Sequence, residues 1–110
     1  MQHKLNLHKA PFDLIKSWVK TIESRLFDEK RQKIKIWDEL IFVSRENWDI
    51  IKTEVFKLYK AESFLELSKI INLEKTWINI TKLFLESLEI YYPKEKQENF
   101  WVVGIEFMIK

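Results

Sequence analysis

A single glycine in 110 residues constrains this chain more than any other feature. A chain of this length must reverse direction many times, and helix ends and tight turns commonly need a backbone at positive φ, which glycine adopts without steric cost. Average usage would supply about eight glycines. The residue present in excess is tryptophan, with five copies, and their positions follow a pattern. Trp18 follows the end of a helical segment. Trp37 and Trp48 each precede an aspartate in a turn, and Trp77 and Trp101 sit at junctions between elements. The pattern predicts that these tryptophans stand where glycine is wanted, with their indoles largely exposed. The competing reading is that they are ordinary core or cleft aromatics.

The apolar content, 46% hydrophobic with 15% aromatic, is enough to build one compact core, so residues 1–110 read as a single domain. With no cysteine, and with His3 and His8 confined to the N-terminus, neither a disulfide nor a metal site is expected, and no cofactor is implied. No apolar run approaches the roughly 18 residues of a membrane span, and the first twenty residues lack a signal-peptide core. The expectation is a cytoplasmic protein with no membrane partner.

Period-2 alternation predicts a first strand over 2–7 with Leu5 and Leu7 on one side. Ala10-Pro11 opens a helix that places Phe12 and Ile15 on one face and stops near Ser17, with proline at the first helical position. From Thr21 a second strand carries Ile22 and Leu26 on one face and Thr21, Glu23 and Arg25 on the other. A polar loop, 28–33, leads to the apolar strand 40–43. Residues 46–49 turn the chain into a long strand, 50–59, forming an antiparallel hairpin. Ser63 and Glu66 have the spacing of a capping box for a helix to about Ile71. Thr81 is read as the cap of another helix, which Pro93 ends. Val102 to Ile109 make a closing strand that must be buried. The fold class is α+β, with five or six strands curled into a small closed or partly closed barrel that hides its edges.

Polar groups crowd the second strand. Lys20 lies where the chain turns into it, and Thr21, Glu23 and Arg25 share one face. Charge gathers around it: residues 16–35 hold seven basic and three acidic residues, although the whole chain is only +2. Lys30, Arg31 and Lys33 therefore read either as a solvated loop or as an extension of an anion-binding surface. Tyr91-Tyr92 could stack on a base or belong to the core.

Several pieces in order, His-Lys-Leu-Asn-Leu, Pro-Phe-Asp-Leu-Ile-Lys, Lys20-Thr21-Ile22-Glu23 with Arg25-Leu26, Lys35-Ile36 before Asp38, and Val103-Gly104-Ile105-Glu106, resemble the ASCH domain of the PUA-like superfamily. The Lys-Thr-Ile-Glu-x-Arg segment is the most specific of them. The resemblance implies a small PUA-like β-barrel with flanking helices, a cleft lined by that segment, and RNA or a nucleoside as partner. It also implies that the positions of Trp18 and Trp37 are typically glycine. Some small members are amidohydrolases that remove the acetyl group of N4-acetylcytidine with a lysine, a threonine and a glutamate. The lysine matches Lys20. The position of the threonine, three residues on, is held by Glu23, and the candidate for the third residue is Glu74.

Two functions follow. In the first, Lys20 and Arg25 contact phosphate or a base edge, Thr21 and Glu23 hydrogen-bond a base, and Lys30, Arg31 and Lys33 extend the positive surface of an RNA- or modified-nucleoside-binding module. In the alternative, Lys20 stabilises an oxyanion and Glu23 acts as general base on water in an amidohydrolase. A carboxylate beside an ammonium favours the charged pair, which suits polar recognition better than nucleophilic attack.

Overall fold

Strict alternation gives β1 (Gln2–Leu7), which buries Leu5 and Leu7. The helix α1 (Lys9–Lys16) follows and buries Phe12 and Ile15. Its proline, Pro11, is the third helical residue rather than the first. That position is still within the first turn, where an N–H has no intrahelical acceptor to lose. The computed structural model describes residues 1–110. The chain continues through β2 (Ile22–Leu26), the single turn α2 (Glu29–Gln32) and β3 (Glu39–Ser44) into the long β4 (Ile50–Ala61). It then passes through α3 (Phe64–Ile70), a 3₁₀ helix over Leu73–Thr76, α4 (Thr81–Glu89) and α5 (Lys94–Phe100) to the closing strand β5 (Val102–Ile109).

Five strands form one mixed sheet in the order β1-β3-β4-β5-β2. β1 runs parallel to β3, and the remaining pairs are antiparallel. A register shift between Val55 and Lys57 bends β4, as an extra residue in one strand does, and the sheet curls into a half-barrel. The curl brings its two edges, β1 and β2, toward each other without joining them. The Arg25 guanidinium spans the seam, donating from Nη2 to the Asn6 carbonyl at 3.1 Å.

Each face of the sheet carries its own hydrophobic cluster. Leu5, Phe12, Phe42, Val55, Ile105 and Phe107 belong to the cluster inside the curl. Ile22, Leu26, Phe64, Leu67, Phe84 and Val102 pack α3 and α4 on the other. β5 supplies both, which is why it reads as a nearly continuous apolar run instead of an alternating one. Gly104 faces α3, and a Cβ there would lie 3.3 Å from Leu67 Cδ1, so close packing rather than a turn explains this glycine.

Asp28, expected in a loop, instead caps α2 by accepting from Arg31 N. Thr81 does not cap α4. Ile80 holds the N-cap position with no side-chain bond, and Thr81 is the first helical residue. Ser63 does cap α3, its hydroxyl accepting from Glu66 N at 3.1 Å. The return bond of a full capping box is absent, because Glu66 pairs with Lys69. Ser63→Ala is expected to lower stability by about 1 kcal/mol, the typical worth of an N-cap, measurable as a shift in urea midpoint at unchanged slope. No helix is long and apolar enough to cross a membrane, and no cluster of three histidine, cysteine, aspartate or glutamate side chains is placed to hold a metal ion.

Candidate functional site

The seam opens into a cleft of about 730 Å³, within the range of small-molecule sites. It is built from distant parts of the chain. β1 contributes Asn6, the start of α1 contributes His8, and β2 contributes Glu23, Ser24 and Arg25. Arg45 comes from the β3–β4 turn, Thr76 and Trp77 from the end of the 3₁₀ helix, and Tyr91 and Tyr92 from the chain after α4.

Glu23 is the charged centre of this cleft. It is 5% exposed, although it lies on an edge strand. Its Oε1 meets Lys20 Nζ at 2.8 Å, and its Oε2 accepts from Arg25 Nε at 3.0 Å and lies 3.0 Å from Arg25 Nη2. Burial alone would raise the Glu23 carboxyl. The Lys20 ammonium and the Arg25 guanidinium outweigh burial and hold the carboxyl below its ordinary range. Burial also works against the Arg25 charge, but Glu23 and the Tyr92 hydroxyl raise its pKa above the ordinary value. Glu23 is the only acid on the lining, which also holds Lys20, Arg25 and Arg45. The cleft therefore carries a positive balance around one fixed carboxylate.

Ser24 lies between Glu23 and Arg25 in sequence but faces the other way. Its hydroxyl is buried and has no hydrogen-bond partner, yet the residue lines the cleft. By strand alternation its side chain shares the face of Ile22 and Leu26, opposite that of Glu23 and Arg25.

The far wall is fixed by a second buried acid. Glu106 is 3% exposed; it accepts from Tyr59 Oη at 2.7 Å and pairs with Lys75 Nζ at 2.7 Å. Burial and the bond to Glu106 push the Tyr59 hydroxyl up to about 12. Lys75 lies in the 3₁₀ helix, and its carbonyl accepts from Thr21 N at 2.8 Å. These attachments hold the 3₁₀ helix, and with it Thr76 and Trp77, against β5 and the start of β2. Tyr91, 61% exposed, stands at the mouth, with its ring 6.4 Å from that of Tyr92.

Of the residues singled out from the sequence, Lys20, Glu23 and Arg25 meet in the cleft. Thr21 anchors the 3₁₀ helix through its backbone and does not line the cavity, and Glu74 is exposed on that helix. Lys30, Arg31 and Lys33 also lie off the lining, and Arg31 is paired with Asp28 at 3.0 Å. Ser24, Arg45, Asn6 and Thr76 are cleft residues that sequence reasoning missed. Only Ser24, set between Glu23 and Arg25, carried a local signal.

No known protein-family profile matches the sequence, and a search of curated proteins finds no match. Solved structures do match. The crystal structure of an ASCH domain from Lactobacillus crispatus superposes with a TM-score of 0.64 at 12% identity, covering 98% of this chain and 79% of that one. Hypothetical protein PH0355 superposes with a TM-score of 0.88 at 28% identity over 100% of both chains. The solution structure of PF0455 from Pyrococcus furiosus gives a TM-score of 0.76 at 30% identity, covering 99% of this chain and 97% of that one. The half-barrel with its helical flanks thus has the fold of that ASCH domain, consistent with a PUA-like barrel. At that identity and coverage, the chain belongs to the same family as the Pyrococcus furiosus protein.

Proposed function

We propose that the cleft at the β1–β2 seam binds the base of a nucleoside, either free or exposed in single-stranded RNA. The observation that carries this reading is the buried Glu23 carboxylate held between Lys20 and Arg25 at the cavity wall. A carboxylate fixed in this way accepts from an exocyclic amine such as N4 of cytosine, and the flanking cations suit ring oxygens, ring nitrogens or phosphate. The exposed Tyr91 ring offers a stacking face, worth about 1–3 kcal/mol per base. Arg45 at the rim supports engagement of a backbone phosphate.

Calorimetric titration with cytidine, N4-acetylcytidine and a short single-stranded RNA tests the proposal. Binding is expected to weaken with Tyr91→Ala by roughly ten-fold, consistent with one stacked base. RNA affinity should fall as salt rises, with a log–log slope near −0.7 per phosphate engaged. Absence of binding by all three ligands, or binding that survives Lys20→Ala combined with Arg25→Ala, would refute it.

The alternative, hydrolysis of an N4-acetylcytidine-type amide, has one observation in its favour. The Lys20 ammonium and the Glu23 carboxylate stand 2.8 Å apart on the cleft lining, the two groups an oxyanion donor and a general base would require. Incubation with N4-acetylcytidine followed by chromatography decides it: cytidine released by the wild type and lost in Glu23→Gln supports catalysis, and no cytidine leaves binding alone.

A further inference from the structure

All five tryptophans have positive φ: Trp18 at 67°, Trp37 at 76°, Trp48 at 65°, Trp77 at 75° and Trp101 at 63°. No other residue does, and the one glycine has an ordinary φ. A few per cent of non-glycine residues adopt positive φ, and bulky ones are outliers. Coincidence at five of five tryptophans therefore has a probability on the order of 10⁻⁷.

The local geometries are those that glycine serves. After α1, Trp18 N donates to Ile15 O at 3.0 Å and Val19 N to Leu14 O at 3.0 Å. This is the paired bonding of a Schellman motif with Trp18 at its left-handed position. Asp38 N donates to Lys35 O, closing a turn whose third residue, Trp37, occupies the glycine site of a type II turn. Trp48 follows Asn47 in the β3–β4 loop, with its N–H on Ser44 O at 2.9 Å, so that glycine would restore an Asn-Gly hairpin signal. Trp77 is the left-handed cap of the 3₁₀ helix. Trp101, at φ 63° and ψ −173°, lies in a region populated essentially by glycine alone. The indoles are 47–73% exposed, so core packing does not explain them.

We propose that the native residue at positions 18, 37, 48, 77 and 101 is glycine, and that the tryptophans arise from the codon UGA, which some genetic codes read as tryptophan and others as glycine. The native chain then has six glycines, close to ordinary usage. The native cleft also loses one wall group. Position 77 presents bare backbone beside Thr76, where the indole now stands on the lining, and the cavity is wider there than the tryptophan form shows.

Two measurements test this. Mass spectrometry of the protein isolated from its own source, read beside the gene, is expected to give peptides with glycine at the five positions and UGA codons. Peptides with tryptophan there, or UGG codons, would overturn the proposal. In the tryptophan form, Trp101→Gly is expected to raise the melting temperature by about 4 °C. Trp101→Ala, which removes the indole but keeps a Cβ at the same backbone angles, should give no such gain. Equal gains from both, or a lower melting temperature with glycine, would also overturn it.

Discussion

Replacing Trp18, Trp37, Trp48, Trp77 and Trp101 together by glycine should raise the melting temperature by on the order of 20 °C, measured by calorimetry or far-ultraviolet dichroism. Each non-glycine residue at positive φ stores about 1–3 kcal/mol, and Trp101 belongs at the upper end because of its ψ. Two effects oppose the gain. Glycine gives the unfolded chain more freedom, at about 0.5–1 kcal/mol per site, and the partly buried side of each indole loses its contacts. The second effect is limited, because every indole is about half exposed or more and contacts with its own turn persist in part in the unfolded chain. A net of about 1 kcal/mol per site, at about 4 °C per kcal/mol for a domain of this size, gives the figure above. The five sites lie on separate turns, so their effects should add. A five-fold variant that melts at or below the tryptophan form would show that backbone strain at these positions is negligible.

The strands were legible because each has an interior face, and period-2 alternation survives wherever one face is buried, as Leu5 and Leu7 show. β5 was legible by the opposite signal, a run too apolar to face water on either side. The parallel pairing of β1 with β3 was not legible, since the register between strands more than thirty residues apart leaves no trace in either strand. Helix starts were read less well than helix bodies. Ile80 rather than Thr81 precedes α4 because packing of Phe84 and Leu88 fixes the helix without a side-chain cap. At the site, Lys20, Glu23 and Arg25 were visible as neighbours in sequence. Asn6, Arg45, Thr76 and Tyr92 join them only through the curl of the sheet, which sequence proximity cannot report. The charge run over 28–35 looked like one surface, but Asp28 turns back on Arg31 to cap α2, and none of these bases reaches the cleft lining.

Glu23→Gln should destabilise the protein by about 3 kcal/mol at neutral pH, the low end for removing one partner of a buried ion pair. Lys20 and Arg25 would each lose a charged partner while remaining mostly covered, with side chains 15% and 14% exposed. The open cleft lets water reach both cations, and this keeps the loss from being larger. The sign of the pH dependence follows from the depressed carboxyl. With its folded pKa below the ordinary value of 4.5, ionised Glu23 contributes stability that is complete above the unfolded pKa and is lost as pH falls through the folded one. Stability should therefore drop in the wild type as pH goes below about 4.5, and the gap between wild type and Glu23→Gln should narrow over the same range. Asp38 and Glu39 are depressed as well, so both proteins lose stability in acid, and the narrowing gap isolates Glu23. Urea unfolding at pH 7 and at pH 3 measures it. Equal stability at pH 7 would mean that water in the cleft already solvates both cations, and the carboxylate would then be a group the ligand can displace rather than the fixed acceptor proposed here.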